Sequence, residues 1–129
     1  MNHAEFILQY KNFAKRAVTL AKKARREGLL SLEDELDLEN VMTRDNLFEY
    51  GLRFAIDGTD QVIINKILSN IVAQDSVEYS RLLKTIQKEA VLLIQDGINP
   101  QLIGAVLNSY TDLPLSEDKI EDETEEFPL

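Results

Sequence analysis

A chain of 129 residues, 44% of them hydrophobic, supports one domain with a modest core. It has no cysteine and a single histidine, His3, which excludes a disulfide framework, a cysteine or histidine metal cluster and a histidine-based catalytic dyad. The net charge of −9 is unevenly spread: residues 111–129 hold eight acids and one lysine, whereas residues 1–110 hold fifteen acids and thirteen bases.

The first predicted helix covers about residues 4–26, with Phe6, Tyr10, Phe13, Ala17, Leu20 and Ala24 recurring on one face. Its last turn is basic, which suits the negative end of the helix dipole, and Gly28 is a natural stop. Ser31 can then cap a second, short helix, with Asp34 completing a variant capping box. Thr43 is expected to cap a third helix over about 44–56, carrying Leu47, Phe48, Leu52, Phe54 and Ala55. After Asp57-Gly58, Asp60 can cap a long helix reaching about Gln95, with Ile63, Ile67, Ile71, Leu82, Leu83, Ile86, Ala90, Leu93 and Ile94 as its apolar positions. The stretch AQDSVEYSR, residues 73–81, is its weakest part and a place for a break. Asp96-Gly97 ends it, and Asn99-Pro100 starts a last helix that runs to about Tyr110. From Thr111 the chain is acidic, contains two prolines and reads as a disordered tail. The expectation is an all-α domain over 1–110, about five helices including one long one, with a flexible acidic tail over 111–129.

The turns IDGTD and QDGINP repeat one pattern, Asp-Gly two residues before a capping Asp or Asn. A faint internal repeat is one reading and two uses of one stop-and-start chemistry the preferred one; neither turn has the alternating acids and closing glutamate of a calcium loop. No glycine-rich phosphate loop and no nucleophile elbow is present, and the acid pairs fall on solvated faces or caps. The reading is therefore of a non-enzyme with no cofactor and no metal. No apolar run approaches the roughly 20 residues that cross a bilayer, and the start lacks a secretory signal, so a cytoplasmic protein is expected.

The stretch AKKARREGLLSLEDEL, residues 21–36, places Lys22, Lys23, Arg25 and Arg26 before Gly28 and Glu33, Asp34 and Glu35 after it. Dipole complementation accounts for part of this pattern. The seven bases of residues 11–26 also permit nucleic-acid binding, but they spread around the helix and the acidic run and tail compete for them, so a solvated face is the plainer reading.

This stretch, followed by LFEYGLRFAIDGTDQVIINKIL and later by EAVLLIQDGINPQLIGAVLNS, resembles the cytoplasmic region of the MotA/PomA-type stator subunit of the bacterial flagellar motor. The resemblance covers about residues 15–110. In that family two hydrophobic spans precede the first matching region and two more separate it from the second, and none of the four has a counterpart here. The second junction falls near residues 74–82, inside the long predicted helix. A natural membrane-free relative is preferred to an engineered deletion.

Ion conduction is not implied, because the family's ion pathway lies in the absent spans. The resemblance does imply a contact with the rotor's switch protein through a basic and an acidic residue bracketing the glycine segment, which match Arg25 and Glu33. Lys22, Lys23, Arg26 and Asp34 extend the same surface. The expected function is a stator-like accessory protein acting through protein–protein contact at the cytoplasmic face of the motor, with rotor or stator components as partners. Self-association, most simply as a dimer, is expected from the apolar stripe of the long helix. A helical adaptor unrelated to motility remains the alternative, with weak nucleic-acid binding a third reading.

Overall fold

The computed structural model describes residues 1–36 and 46–114, and these residues are helical without strands. Five α-helices, α1 (His3–Glu27), α2 (Leu47–Ile56), α3 (Gln61–Ala73), α4 (Glu78–Gln95) and α5 (Pro100–Asn108), are joined by one 3-10 helix, η1 (Leu29–Glu35). The all-α class expected from the sequence holds. The expected Thr43 cap and the tail from residue 115 lie outside the described residues.

Three local expectations are corrected. The long helix is two helices, divided where the sequence was weakest. Asp75 divides them by offering the backbone another partner. One of its carboxylate oxygens accepts from the Val77 amide at 2.9 Å, and the other accepts from the Ser80 hydroxyl and lies 2.9 Å from Lys84 Nζ. In α3 the buried residues are Ile64, Leu68 and Ile71, whereas Ile63 is 49% exposed, so the core stripe lies one position later than Ile63 and Ile67 implied. Ser31 caps nothing: it lies inside η1, and its hydroxyl donates to the Gly28 carbonyl.

These contacts hold the Asp75 carboxyl down to about 2 from the usual 3.8, the Ser80 and Lys84 hydrogen bonds contributing most. A depressed folded value means stability that is complete above about pH 4 and lost as pH falls toward 2. Asp75→Asn is therefore expected to be less stable than wild type at neutral pH. The gap in urea midpoint should close between pH 4 and pH 2; a gap of constant size would mean that the carboxylate's charge contributes nothing.

The two Asp-Gly turns are built alike. Gly58 (φ 83°) and Gly97 (φ 70°) take a conformation other residues resist. Thr59 N–H returns to Phe54 O, and Ile98 N–H returns to Leu93 O, which closes each preceding helix. Asp60 and Asn99 then accept from Val62 and Gln101 amides, each at 2.8 Å. The likeness extends along the flanking helices. Leu47 and Ile86, Leu52 and Val91, Ala55 and Ile94, Ile64 and Ile103, and Leu68 and Leu107 occupy matching positions, and all are buried. The two hairpins are a structural repeat, so the alternative reading of the two turns holds over the preferred one.

The hairpins stack in parallel. Gln95 Nε2 donates to Thr59 O at 2.8 Å and Gln61 Nε2 donates to Leu92 O at 3.0 Å, which sets the two turns side by side. Helices α2 and α4 run together into these turns. Their close approach depends on Gly51, where a Cβ would sit 2.8 Å from Leu68 Cδ1 and 2.9 Å from Val91 Cγ2. Helix α1 adds a further layer against α4 and α5. It is parallel to α4, since Phe6 stacks on Tyr79 at 5.0 Å, and antiparallel to α5, since Tyr10 donates a buried hydrogen bond to Asn108 Oδ1 at 2.6 Å. The molecule thus has two poles. One holds both Asp-Gly turns; the other holds the start of α1, the α3–α4 junction and the end of α5.

Candidate interaction site

The opposed charges around Gly28 sit where α1 gives way to η1. Gly28 has φ 93°, its amide still bonds to Ala24 O at 2.8 Å, and the Ser31 amide bonds back to its carbonyl at 3.1 Å. Leu32 and Leu36 are buried and anchor η1 to the core, while Leu30 is 69% exposed. The acidic residues between the two anchors are therefore held at the surface.

Three basic side chains from two helices fix η1. Arg16 Nη2 of α1 donates to the Glu35 carbonyl at 3.1 Å, and Lys23 Nζ reaches the Glu35 carboxylate at 2.9 Å. That carboxylate, by hydrogen bond first and by charge second, raises the Lys23 ammonium above its ordinary value. Arg53 Nη1 of α2 binds Glu33 Oε1 at 3.1 Å, and its Nε lies 3.5 Å from Asp57 Oδ2 in the first Asp-Gly turn. Arg53 therefore ties the acidic run to the turn pole.

The six residues singled out from the sequence fall into different situations. Arg25 and Asp34 are exposed and make no ion pair among the described residues. Lys22 is exposed on the same helix. Glu33 is half-exposed and shared with Arg53, Lys23 is half-buried on Glu35, and Arg26 pairs with Glu27 at 2.9 Å. Arg53 and Arg16 were not anticipated. Arg53 is distant in sequence from the stretch it braces, and only its place on the η1-facing side of α2 could have signalled it. Arg16 was grouped with the solvated bases, yet its Nη2 lies 2.7 Å from Glu49 Oε1 and its guanidinium covers the Phe48 ring at 5.8 Å.

Among the described residues no group of acids and histidine could hold a metal ion. No helix among them is long and apolar enough to cross a membrane. The arrangement amounts to two adjacent surfaces of opposite sign, braced from behind.

Two curated proteins are similar to the chain. The chain is 31% identical over 110 residues to motility protein A of Treponema phagedenis, covering 84% of this chain and 39% of that protein. It is 47% identical over 51 residues to motility protein A of Borreliella burgdorferi, covering 40% of this chain and 18% of that protein. The chain thus spans well under half the length of these relatives. No family model matches it, and no solved structure matches it significantly.

Proposed function

This chain is a MotA-type relative, and from that premise we propose that it serves motility as a stator-like interaction module of the flagellar motor. The observation that carries the reading is the separation of the two poles. The resemblance puts the family's membrane spans before the first matching region and near residues 74–82. The start of α1 and the α3–α4 junction meet at one pole through Phe6 and Tyr79. The braced charges lie at the other, joined to the Asp57 turn by Arg53. A stator-like body needs this arrangement, with the charged contact facing away from the membrane side.

Arg25 and Glu33 are the proposed primary contacts, with Lys22, Lys23, Arg26 and Asp34 extending the surface. Opposite signs on either side of Gly28 define a register as well as an attraction, because a partner must offer the reverse order. Glu33 reaches its partner in competition with Arg53, whereas Asp34 and Arg25 offer their charges outright. Bracing by Arg16, Lys23 and Arg53 fixes η1 before encounter, which lowers the ordering cost of binding. The module acts by contact and not by catalysis, at the cytoplasmic face of the motor, on the rotor switch protein or stator components.

A photo-crosslinking residue at Leu30, in the native host, tests this reading. Its products are expected to be rotor switch or stator components. Products restricted to nucleic acid or to proteins outside the motor would overturn it.

Self-association belongs to the same proposal. Helix α3 exposes Val62 at 72% and Ile63 at 49%, and α5 exposes Leu102 at 59%. A symmetric dimer would cover part of this surface. Light scattering should report twice the 14.7 kDa chain mass at high micromolar concentration; a monomer there removes the dimer.

A further inference from the structure

The geometry points to a second binding site, at the pole opposite the charged stretch: we propose that a cleft there takes an arginine side chain presented by a partner peptide. The cleft has a volume of about 190 Å³ and is lined by His3, Phe6, Tyr79, Leu82, Tyr110, Thr111 and Asp112. It combines the two features that recognise a guanidinium, aromatic surface and carboxylate. Phe6 and Tyr79 stack with centroids 5.0 Å apart. Asp112 stands at the rim, its side chain 70% exposed. Behind it, the Tyr110 hydroxyl donates to Glu89 Oε1 at 3.1 Å, which brings a second carboxylate near the cleft. Among the described residues no lysine or arginine lines it.

His3 shows how the cleft treats a flat nitrogen ring. Its imidazole meets the Tyr79 ring in an edge arrangement at 5.8 Å, and its Nε2 lies 3.0 Å from both Asp112 carboxylate oxygens. One nitrogen thus spans two acceptors. A guanidinium presents two parallel N–H groups at the spacing of a carboxylate, so it can satisfy each oxygen separately while its plane rests on the aromatic wall. An ammonium offers a point charge and forgoes that fork. The His3 side chain is 50% exposed, and an incoming guanidinium would take its place on Asp112 by a surface rotamer change of His3. The cleft uses none of the charged residues around Gly28, and its Phe6 and Tyr79 lie at the pole that the motor reading turns toward the membrane side.

The test is NMR titration of the full chain near neutral pH with N-acetyl-arginine amide, up to tens of millimolar. The neutral isostere N-acetyl-citrulline amide and N-acetyl-lysine amide serve as comparators. Saturable shifts are expected at Tyr79, Tyr110 and Asp112 with the arginine probe, with citrulline weaker by about tenfold or more. Asp112→Asn should give the same loss, Tyr79→Leu a loss of about two- to fivefold, and His3→Ala undiminished or tighter binding because a competitor is removed. Three results would overturn the proposal: no saturable shift in wild type or His3→Ala; equal shifts with citrulline; or shifts centred on Glu33–Glu35, which would show general attraction to acidic surface.

Discussion

Arg16→Met is expected to cost about 2–3 kcal/mol of stability, more than an ordinary surface arginine. The Glu49 side chain is 8% exposed, and Arg16 Nη2 lies 2.7 Å from it. Without the guanidinium, the buried carboxylate loses the cation 2.7 Å from it, and less of its desolvation is offset. The same side chain covers Phe48 and holds the Glu35 carbonyl, so α1, α2 and η1 all lose a joint. With a urea m-value of about 1–3 kcal/mol/M, the midpoint should fall by about 1 M. The pair itself is not expected to be worth that sum: Arg16→Met combined with Glu49→Leu should recover most of the loss, because apolar groups of similar volume replace a buried ion pair at little cost. A double-mutant cycle measures this directly. A single substitution costing under about 1 kcal/mol would mean that Glu49 does not depend on Arg16.

The elements most legible in the sequence were those whose ends are written in local chemistry. Gly28, Asp57-Gly58-Thr59-Asp60 and Asp96-Gly97-Ile98-Asn99 each carry a stop and a start within a few residues, and the helices end at those places. The α3–α4 break was only half legible. Asp75 makes it with a side chain that reaches Val77, Ser80 and Lys84, a cap whose partners all lie downstream and whose flanking residues continue a helical pattern. The face of α3 was misread because Val62, Ile63, Ile64, Ile67 and Leu68 are all apolar; periodicity cannot choose a phase in such a run, and packing against α2 and α4 chose Ile64 and Leu68. The parallel stacking of the hairpins depends on Gln61 and Gln95 meeting across the turns, a contact between elements that no local pattern encodes. At the candidate site, the charges around Gly28 were visible as a run. Which of them are already paired was not, because Arg53 comes from another helix.

That pairing shapes the functional prediction of largest effect. Reversing Arg25 to Glu is expected to weaken partner binding about tenfold or more while leaving the urea midpoint nearly unchanged, since Arg25 is exposed and makes no ion pair among the described residues. Reversing Glu33 to Lys should weaken binding comparably but also lower stability slightly, because it sets a lysine against Arg53, which lies 3.1 Å from the present carboxylate. Asp34→Lys separates the two effects, as it changes the acidic side of the surface without touching Arg53. A compensating reversal on the partner should restore binding to Arg25→Glu in part, since complementarity acts through pairs. Raised salt should weaken the wild-type complex more than the reversed ones, because exposed charges are screened over roughly 10 Å at 0.1 M. The measurements are pull-down against rotor and stator components and swimming rate in the native host, each at low and raised salt. If Arg25→Glu and Asp34→Lys both leave binding and swimming unchanged at low salt, the charges around Gly28 serve only to end one helix and hold the next.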